Sequence, residues 1–203
     1  MTMDGMSLRE RQAQQVRTAV LEAVIDELES KVVDDVSMAD VALAAGISLR
    51  TLYRYFPDRS SLLHAAGEHL YGSLGVPFDI AGPEDISASL LQAAGRLSTR
   101  PELTRALVRT TAGRATRSKV RGQRVEAIST ALKPVTDGLD ADTARWAVAV
   151  IAHLCSAASW VIISDESGLE EADAQRAVAW GIEALISTLP GTSRRSPRRA
   201  KRS

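Results

Sequence analysis

Residues 37–56 read SMADVALAAGISLRTLYRYF, and the reading of the whole chain depends on how this stretch divides. Ser37 stands where it can cap a short helix over 38–44. Gly46 supplies a turn, because glycine reaches positive φ without a Cβ clash. Ser48 can cap a second short helix through Tyr55, and Pro57 stops it. Two short helices joined by a tight turn, the second presenting polar residues, form a helix-turn-helix.

The division of labour within the motif follows from residue type. Met38, Val41 and Ala42 brace the first helix, and Ile47 and Leu52 anchor the second. That leaves Ser48, Leu49, Arg50, Thr51, Tyr53 and Arg54 around the exposed side. In this geometry the start of the second helix sits closest to base edges. Arg50 can donate two parallel hydrogen bonds to guanine O6 and N7, or pair with a phosphate. Thr51 can meet a thymine methyl or a phosphate. The hydroxyls of Tyr53 and Tyr55 can reach phosphate oxygens, and Arg59 is placed as a backbone clamp. Plainer readings stand beside these: Arg50 as a solvated charge, and Tyr55 and Phe56 as residues sealing a small core. Phe56 is read as core, and Tyr55 is left open.

Outward from the motif, helix follows helix. SLRE at 7–10 has capping-box spacing. Val16, Val20, Ala23, Val24 and Leu28 then recur at helical intervals, which predicts a first helix to about Ser30. KVVDDVS breaks it. Asp58 can cap a fourth helix from Arg59 to about Ser73, and GVPFDIAGPED at 75–85 reads as a linker. Five further helices are expected: 84–97, 101–113, 118–132 (stopped at Lys133-Pro134), 142–164, and one opened by the capping box SGLE at 167–170 and ended by LPG at 189–191. No segment alternates with period two between turn signals, so no sheet is expected. The expectation is an all-α chain of about nine helices. A three-helix helix-turn-helix domain occupies 8–75, with its motif at 37–56. A helical ligand-binding and dimerisation domain occupies 84–190, and a basic disordered tail 191–203.

Charge is balanced overall and segregated locally. Lys+Arg and Asp+Glu stand at 25 each among 203 residues. Residues 1–70 carry seven basic and eleven acidic side chains, so nonspecific DNA affinity should be modest, since it comes from phosphate neutralisation. Residues 96–124 carry nine basic and one acidic, 125–193 three basic and ten acidic, and the final ten residues six basic and none acidic. The 96–124 run is a solvated face, a seat for an anionic ligand group, or a partner of the acidic 125–193 region. The tail adds nonspecific phosphate attraction or does nothing.

Several function classes are disfavoured. The single cysteine, Cys155, lies in an apolar run, fits a small buried hydrophobe and is compatible with a reducing cytoplasm. The first fifteen residues have no apolar core, so they do not read as a secretory signal. WAVAVIAHLCSAASWVIIS at 146–164 is near membrane-spanning length, but its Ala, Ser and His153 content fits a helix buried in a bundle. His64, His69 and His153 lack the spacing for paired metal ligation. There is no Gly-rich phosphate loop and no Ser/His/Asp set, so no enzyme, catalytic residue, metal or cofactor is expected.

The stretch VLEAVIDELESKVVDDVSMADVALAAGISLRTLYRYFPDRSSLL at 20–63 resembles the N-terminal domain of TetR-family transcriptional regulators. The resemblance rests on Val20-Leu21-Glu22-Ala23-Val24, then on Ser37, Met38, Val41, Ala42, Ala45, Gly46, Ile47, Ser48, Thr51, Leu52, Tyr53, Tyr55, Phe56, Arg59 and Leu62 in register. It implies DNA contacts at Ser37, Ser48, Arg50, Thr51, Tyr53, Tyr55 and Arg59, with Leu49 and Arg54 on the same helix, and a basic position early in the first helix at Arg17. Leu28 stands where the family often has an aromatic residue, and Val32-Val33 where it often has a Gly-aromatic pair, so the exit from the first helix should differ. Ala39 replaces an often polar residue and should narrow the footprint.

Beyond the linker the resemblance covers architecture only. It implies a homodimer on palindromic double-stranded operator DNA, released by an unidentified small molecule, with no membrane partner. Small and apolar residues on the last two expected helices can support a four-helix interface through Ala157, Val161, Val178, Ile182, Leu185 and Ile186. Candidate pocket residues are Leu91, Leu107, Ile128, Trp146, His153 and Trp160, which equally fit a core. An aliphatic or acyl-like ligand is compatible. The alternatives are a ligand-independent DNA-binding protein, a helical adaptor or an enzyme.

Overall fold

The computed structural model describes residues 7–30, 36–76 and 79–190. Among them there are eleven α-helices, one short 3-10 turn at Pro83–Asp85 and no strand. The helices are α1 Leu8–Ser30, α2 Met38–Ala44, α3 Leu49–Tyr55, α4 Arg59–Ser73, α5 Ile86–Leu97, α6 Pro101–Arg109, α7 Thr111–Thr116, α8 Ser118–Thr136, α9 Ala141–Leu154, α10 Ala157–Ser167 and α11 Glu171–Ser187. The all-α expectation holds, with eleven helices in place of nine.

Both extra helices come from breaks that composition hid. Thr110 adopts extended backbone, and its Oγ1 accepts from the Gly113 N–H at 2.9 Å, so 101–113 becomes α6 and α7. The apolar run 146–164 breaks at Cys155–Ser156, where α9 and α10 meet at 65°. No single helix among the described residues is long and apolar enough to cross a membrane. Two helix ends also differ from expectation. Pro134 lies inside α8, which runs on to Thr136. Proline there removes one i→i−4 donor, and the helix ends two residues later. Ser167 does not cap α11: it ends α10, Gly168 turns the chain at φ 69°, and Glu170 precedes α11 without a side-chain cap. The Val32-Val33 segment and the basic tail lie outside the described residues.

The chain forms two compact units. The first joins residues up to 75 with 99–120; the second joins 76–98 with everything from 121 on. In the first, α1 packs on α2, α4 and α6, α2 on α3, and α4 and α6 on α7. Its core holds Val20, Val24, Val41, Leu52, Phe56, Leu62, Leu70, Leu103 and Leu107. Two glycines allow close approach: a Cβ on Gly67 would overlap the Thr116 carbonyl, and one on Gly113 would overlap backbone at Ala106 and Leu107. In the second unit α11 packs on α5, α9 and α10, around Ile86, Leu90, Trp160, Val178 and Ile182.

The assignment of 99–120 to the first unit bears on the basic run at two of its positions. Arg100 is hydrogen-bonded and ion-paired to Glu29 of α1 and lies 3.6 Å from Asp26. Its guanidinium pKa is raised, chiefly by the Glu29 hydrogen bond. Lys119 pairs with Glu68 of α4 at 2.6 Å. These two cations therefore meet the acidic residues of the N-terminal segment rather than the acidic 125–193 region. With 99–120 included, the unit holds thirteen basic and twelve acidic side chains instead of seven and eleven.

Candidate nucleic-acid interface

Three side-chain caps shape the motif. Ser37 Oγ accepts from the Asp40 N–H at 3.0 Å and starts α2. Ser48 Oγ accepts from the Thr51 N–H at 3.1 Å and starts α3. Asp58 Oδ1 accepts from the Ser61 N–H at 2.7 Å and starts α4, with Ser61 closing a capping box. A side-chain N-cap contributes about 1 kcal/mol. Between α2 and α3, Gly46 at φ 66° closes a Schellman turn: the Gly46 N–H donates to the Leu43 carbonyl at 3.1 Å and the Ile47 N–H to the Ala42 carbonyl at 3.0 Å.

Burial then orients α3. Val41, Ala42, Leu52 and Phe56 are fully packed, and Ile47 is half-buried. Leu49, Arg50, Tyr53 and Arg54 are exposed, with Tyr53 at 47%. Arg50, Thr51 and Arg54 together line a recess of about 350 Å³. The helix carries no acidic side chain. It therefore presents guanidinium groups, a phenol and one leucine on its outward face.

The remaining expected contact residues are placed less simply. Thr51 Oγ1 lies 2.8 Å from Ser48 Oγ, so both hydroxyls are engaged in the cap and Thr51 offers chiefly its methyl. Tyr55 is half-buried beneath the Arg54 guanidinium, 5.3 Å from its ring centroid. Arg59 donates from Nε to the Val36 carbonyl at 2.8 Å, which ties α4 to the residue before Ser37. Arg17 stacks over Phe56 at 4.7 Å. Leu43, 82% exposed beside the turn, carried no signal that sequence reasoning used, although its position opposite Val41 and Ala42 on α2 could have supplied one.

The second-unit expectations divide by burial. Ile128 and Trp160 are fully buried, while Leu91, Trp146 and His153 are exposed. Leu107 is core of the first unit. Of the six expected interface residues, Ala157, Val161, Val178, Ile182 and Ile186 are spent on packing inside the chain, and only Leu185 is exposed. The apolar surface lies elsewhere. Trp146 and Val150 of α9 and Leu185 and Leu189 near the end of α11 line a shallow apolar recess of about 210 Å³, and Trp180 is 72% exposed. Helical periodicity could have found Trp180, which is turned about 200° from Val178. A larger open groove of about 740 Å³ lies between α8 and α9, lined among others by Val125, Ser129, Lys133, Arg145 and Val148. Among the described residues no His, Cys, Asp and Glu cluster could hold a metal ion. Burial pushes the Cys155 thiol up to about 12.

Residues 20–66 match the family model described as bacterial regulatory proteins, tetR family. Over 81 residues the chain is 28% identical to the HTH-type transcriptional repressor LfrR of Mycolicibacterium smegmatis; that match spans 40% of this chain and 42% of the repressor. A TetR transcriptional regulator from Rhodococcus sp. RHA1 shares the fold with a TM-score of 0.55 at 22% identity, over 87% of this chain and 99% of its own. The regulator FadR from Bacillus subtilis, solved in complex with stearoyl-CoA, shares it with a TM-score of 0.57 at 15% identity, over 85% and 98%. The helix-turn-helix at residues 20–66 is that of the tetR family of bacterial regulatory proteins, and beyond it the likeness is one of fold.

Proposed function

We propose that this chain is a sequence-specific DNA-binding transcriptional regulator of the cytoplasm, a homodimeric repressor that leaves a palindromic operator when a small molecule binds its second unit. The observation that carries the DNA reading is the outward face of α3, where Leu49, Arg50, Tyr53 and Arg54 stand exposed on a helix anchored by Leu52. Arg50 takes guanine O6 and N7, the Thr51 methyl meets thymine, and Tyr53 reaches phosphate. Tyr55, Arg59 and the caps Ser37 and Ser48 hold this face in place. With the first unit nearly balanced in charge, affinity rests on base contacts more than on phosphate neutralisation.

Dimerisation is supported by the apolar surface of α9 and α11. Trp146, Val150, Trp180 and Leu185 are large apolar side chains left in water, and a second copy would cover them. They replace the buried residues first expected there. A two-fold dimer presents two α3 helices, which calls for a palindromic site. The effector reading is supported by the open α8–α9 groove and by FadR, whose structure holds stearoyl-CoA; an acyl-like ligand suits Val125 and Val148 here. Release then works by population shift, because a ligand favouring a dimer with misplaced recognition helices lowers DNA affinity.

The test is selection of genomic fragments by the full chain, followed by sequencing and sedimentation of the complex. Enrichment of a few palindromes, bound by an even number of chains, supports the reading. Uniform recovery of all fragments at low salt and none at high salt contradicts it.

A further inference from the structure

Helix α10 begins with polar groups that have nothing to bond. Its N-cap, Ser156, is only 4% exposed and makes no side-chain cap. Ser156 Oγ has no hydrogen-bond partner among the described residues. One turn on, Trp160 Nε1 is also unpartnered, in a residue 1% exposed. The other side of the same break is satisfied. Arg124 donates from Nε to the Ala152 carbonyl at 3.2 Å, and Ser159 Oγ donates to the His153 carbonyl at 2.8 Å. Elsewhere Ser37, Ser48, Thr110 and Asp140 cap their helices with their side chains. Around the α9–α10 break, the unpaired groups are thus confined to the start of α10.

The kind of partner follows from the groups themselves. An indole N–H only donates, and a serine hydroxyl can donate with it. A helix start carries partial positive charge and favours an anion. Arg124 brings a cation to the same break. An oxygen acceptor bearing negative charge answers all three. The flanking Ala157 and Val161 are buried and apolar, so the rest of the partner is apolar as well.

We infer that the start of α10 is the head-group subsite of the effector, where a carboxylate on an otherwise apolar molecule accepts hydrogen bonds from Trp160 Nε1 and Ser156 Oγ. This rests on the effector reading above and names its chemistry. Both atoms are covered in this structure, so admitting the carboxylate opens the α9–α10 break. That opening is a shape change through which binding is felt.

The test uses the full chain with its three tryptophans labelled with nitrogen-15 at the indole. Decanoate is titrated below its micelle concentration, with decylammonium as the matched cation. The signal absent from Trp160→Phe is expected to move downfield with decanoate and to stay with decylammonium. Decanoate affinity is expected to fall about tenfold or more in Trp160→Phe and in Ser156→Ala. Without decanoate Ser156→Ala is expected to melt at or above the wild-type temperature, because it loses an unsatisfied buried group; Trp160→Phe, which also leaves a cavity, is read only by binding and by its signal. An unmoved Trp160 signal overturns the inference, as does an equal response to the cation or unchanged affinity in both variants. So does a lowered melting temperature in Ser156→Ala, which marks a structural hydroxyl. Operator binding measured alongside separates the two claims. Decanoate seated at Trp160 with undiminished DNA binding leaves the subsite and removes the effector reading. Release from DNA by another molecule, with Trp160 silent, does the reverse.

Discussion

The outward face of α3 and the outward face of α9 and α11 are built alike and dressed differently. Each helix buries one apolar side: Leu52 in α3, Ile151 in α9, Val178 and Ile182 in α11. What each leaves in water differs. The α3 face holds Arg50, Tyr53 and Arg54, groups that hydrogen-bond to bases and phosphates. The α9 and α11 face holds Trp146, Val150, Trp180 and Leu185, which offer area and little polarity. The first suits nucleic acid and the second suits another protein surface. Burial tells which side of a helix is spoken for, and only the chemistry of the other side names a partner.

The largest expected effect touches neither face. Gly67→Ala places a methyl on the Thr116 carbonyl, where backbone faces backbone, and should cost about 3 kcal/mol or more in denaturant unfolding. A change under about 0.5 kcal/mol would mean that α4 and α7 are not held this closely. Next, Trp146→Glu should dissociate the proposed dimer, with a loss of about 2 kcal/mol or more in association read by sedimentation equilibrium. Val178→Ala should lower stability by about 1 kcal/mol without changing the mass, because that residue is core. Equal dissociation by both would erase the distinction between inner and outer sides of α11. Ser48→Ala removes the α3 cap and should cost about 1 kcal/mol of stability. A separate effect is confined to alkaline solution. The Cys155 thiol is raised from 9.0 to about 12 by burial, so its ionisation opposes folding. Its contribution is full below pH 9.0 and is lost as pH rises toward about 12. Relative to Cys155→Ala, wild type should weaken only across that window, and a parallel pair of stability curves would contradict the burial.

How much of this was legible in the sequence depends on the range of the interaction. Local chemistry was legible. Ser37, Gly46, Ser48 and Asp58 each act on a backbone group within four residues, and all four take the expected roles. Breaks inside continuous helical patterns were not. Thr110 and Ser156 resemble any other small polar residue in a helix, and the turn at each is settled by packing and by capping geometry. Long-range pairing was hidden as well. Nothing near Arg100 or Lys119 names Glu29 or Glu68, so 99–120 could not be joined to the first unit from local pattern. The interface candidates Val178, Ile182 and Ile186 are buried within the chain, because an apolar residue on a two-sided helix serves core and surface equally well by type. Residue phase separates them: Val178, Ile182 and Ile186 recur at four-residue steps, and Trp180 lies off that line.

The central claim is that the outward face of α3 reads base sequence. The most direct measurement is fluorescence anisotropy on a selected palindromic fragment at two salt concentrations, wild type beside Arg50→Ala. Loss of about 1–3 kcal/mol, roughly 5- to 150-fold, at both salt concentrations and on the selected fragment alone is the predicted result. Equal binding by the two proteins, or weakening shared by every fragment and erased by salt, would show that Arg50 does not read bases.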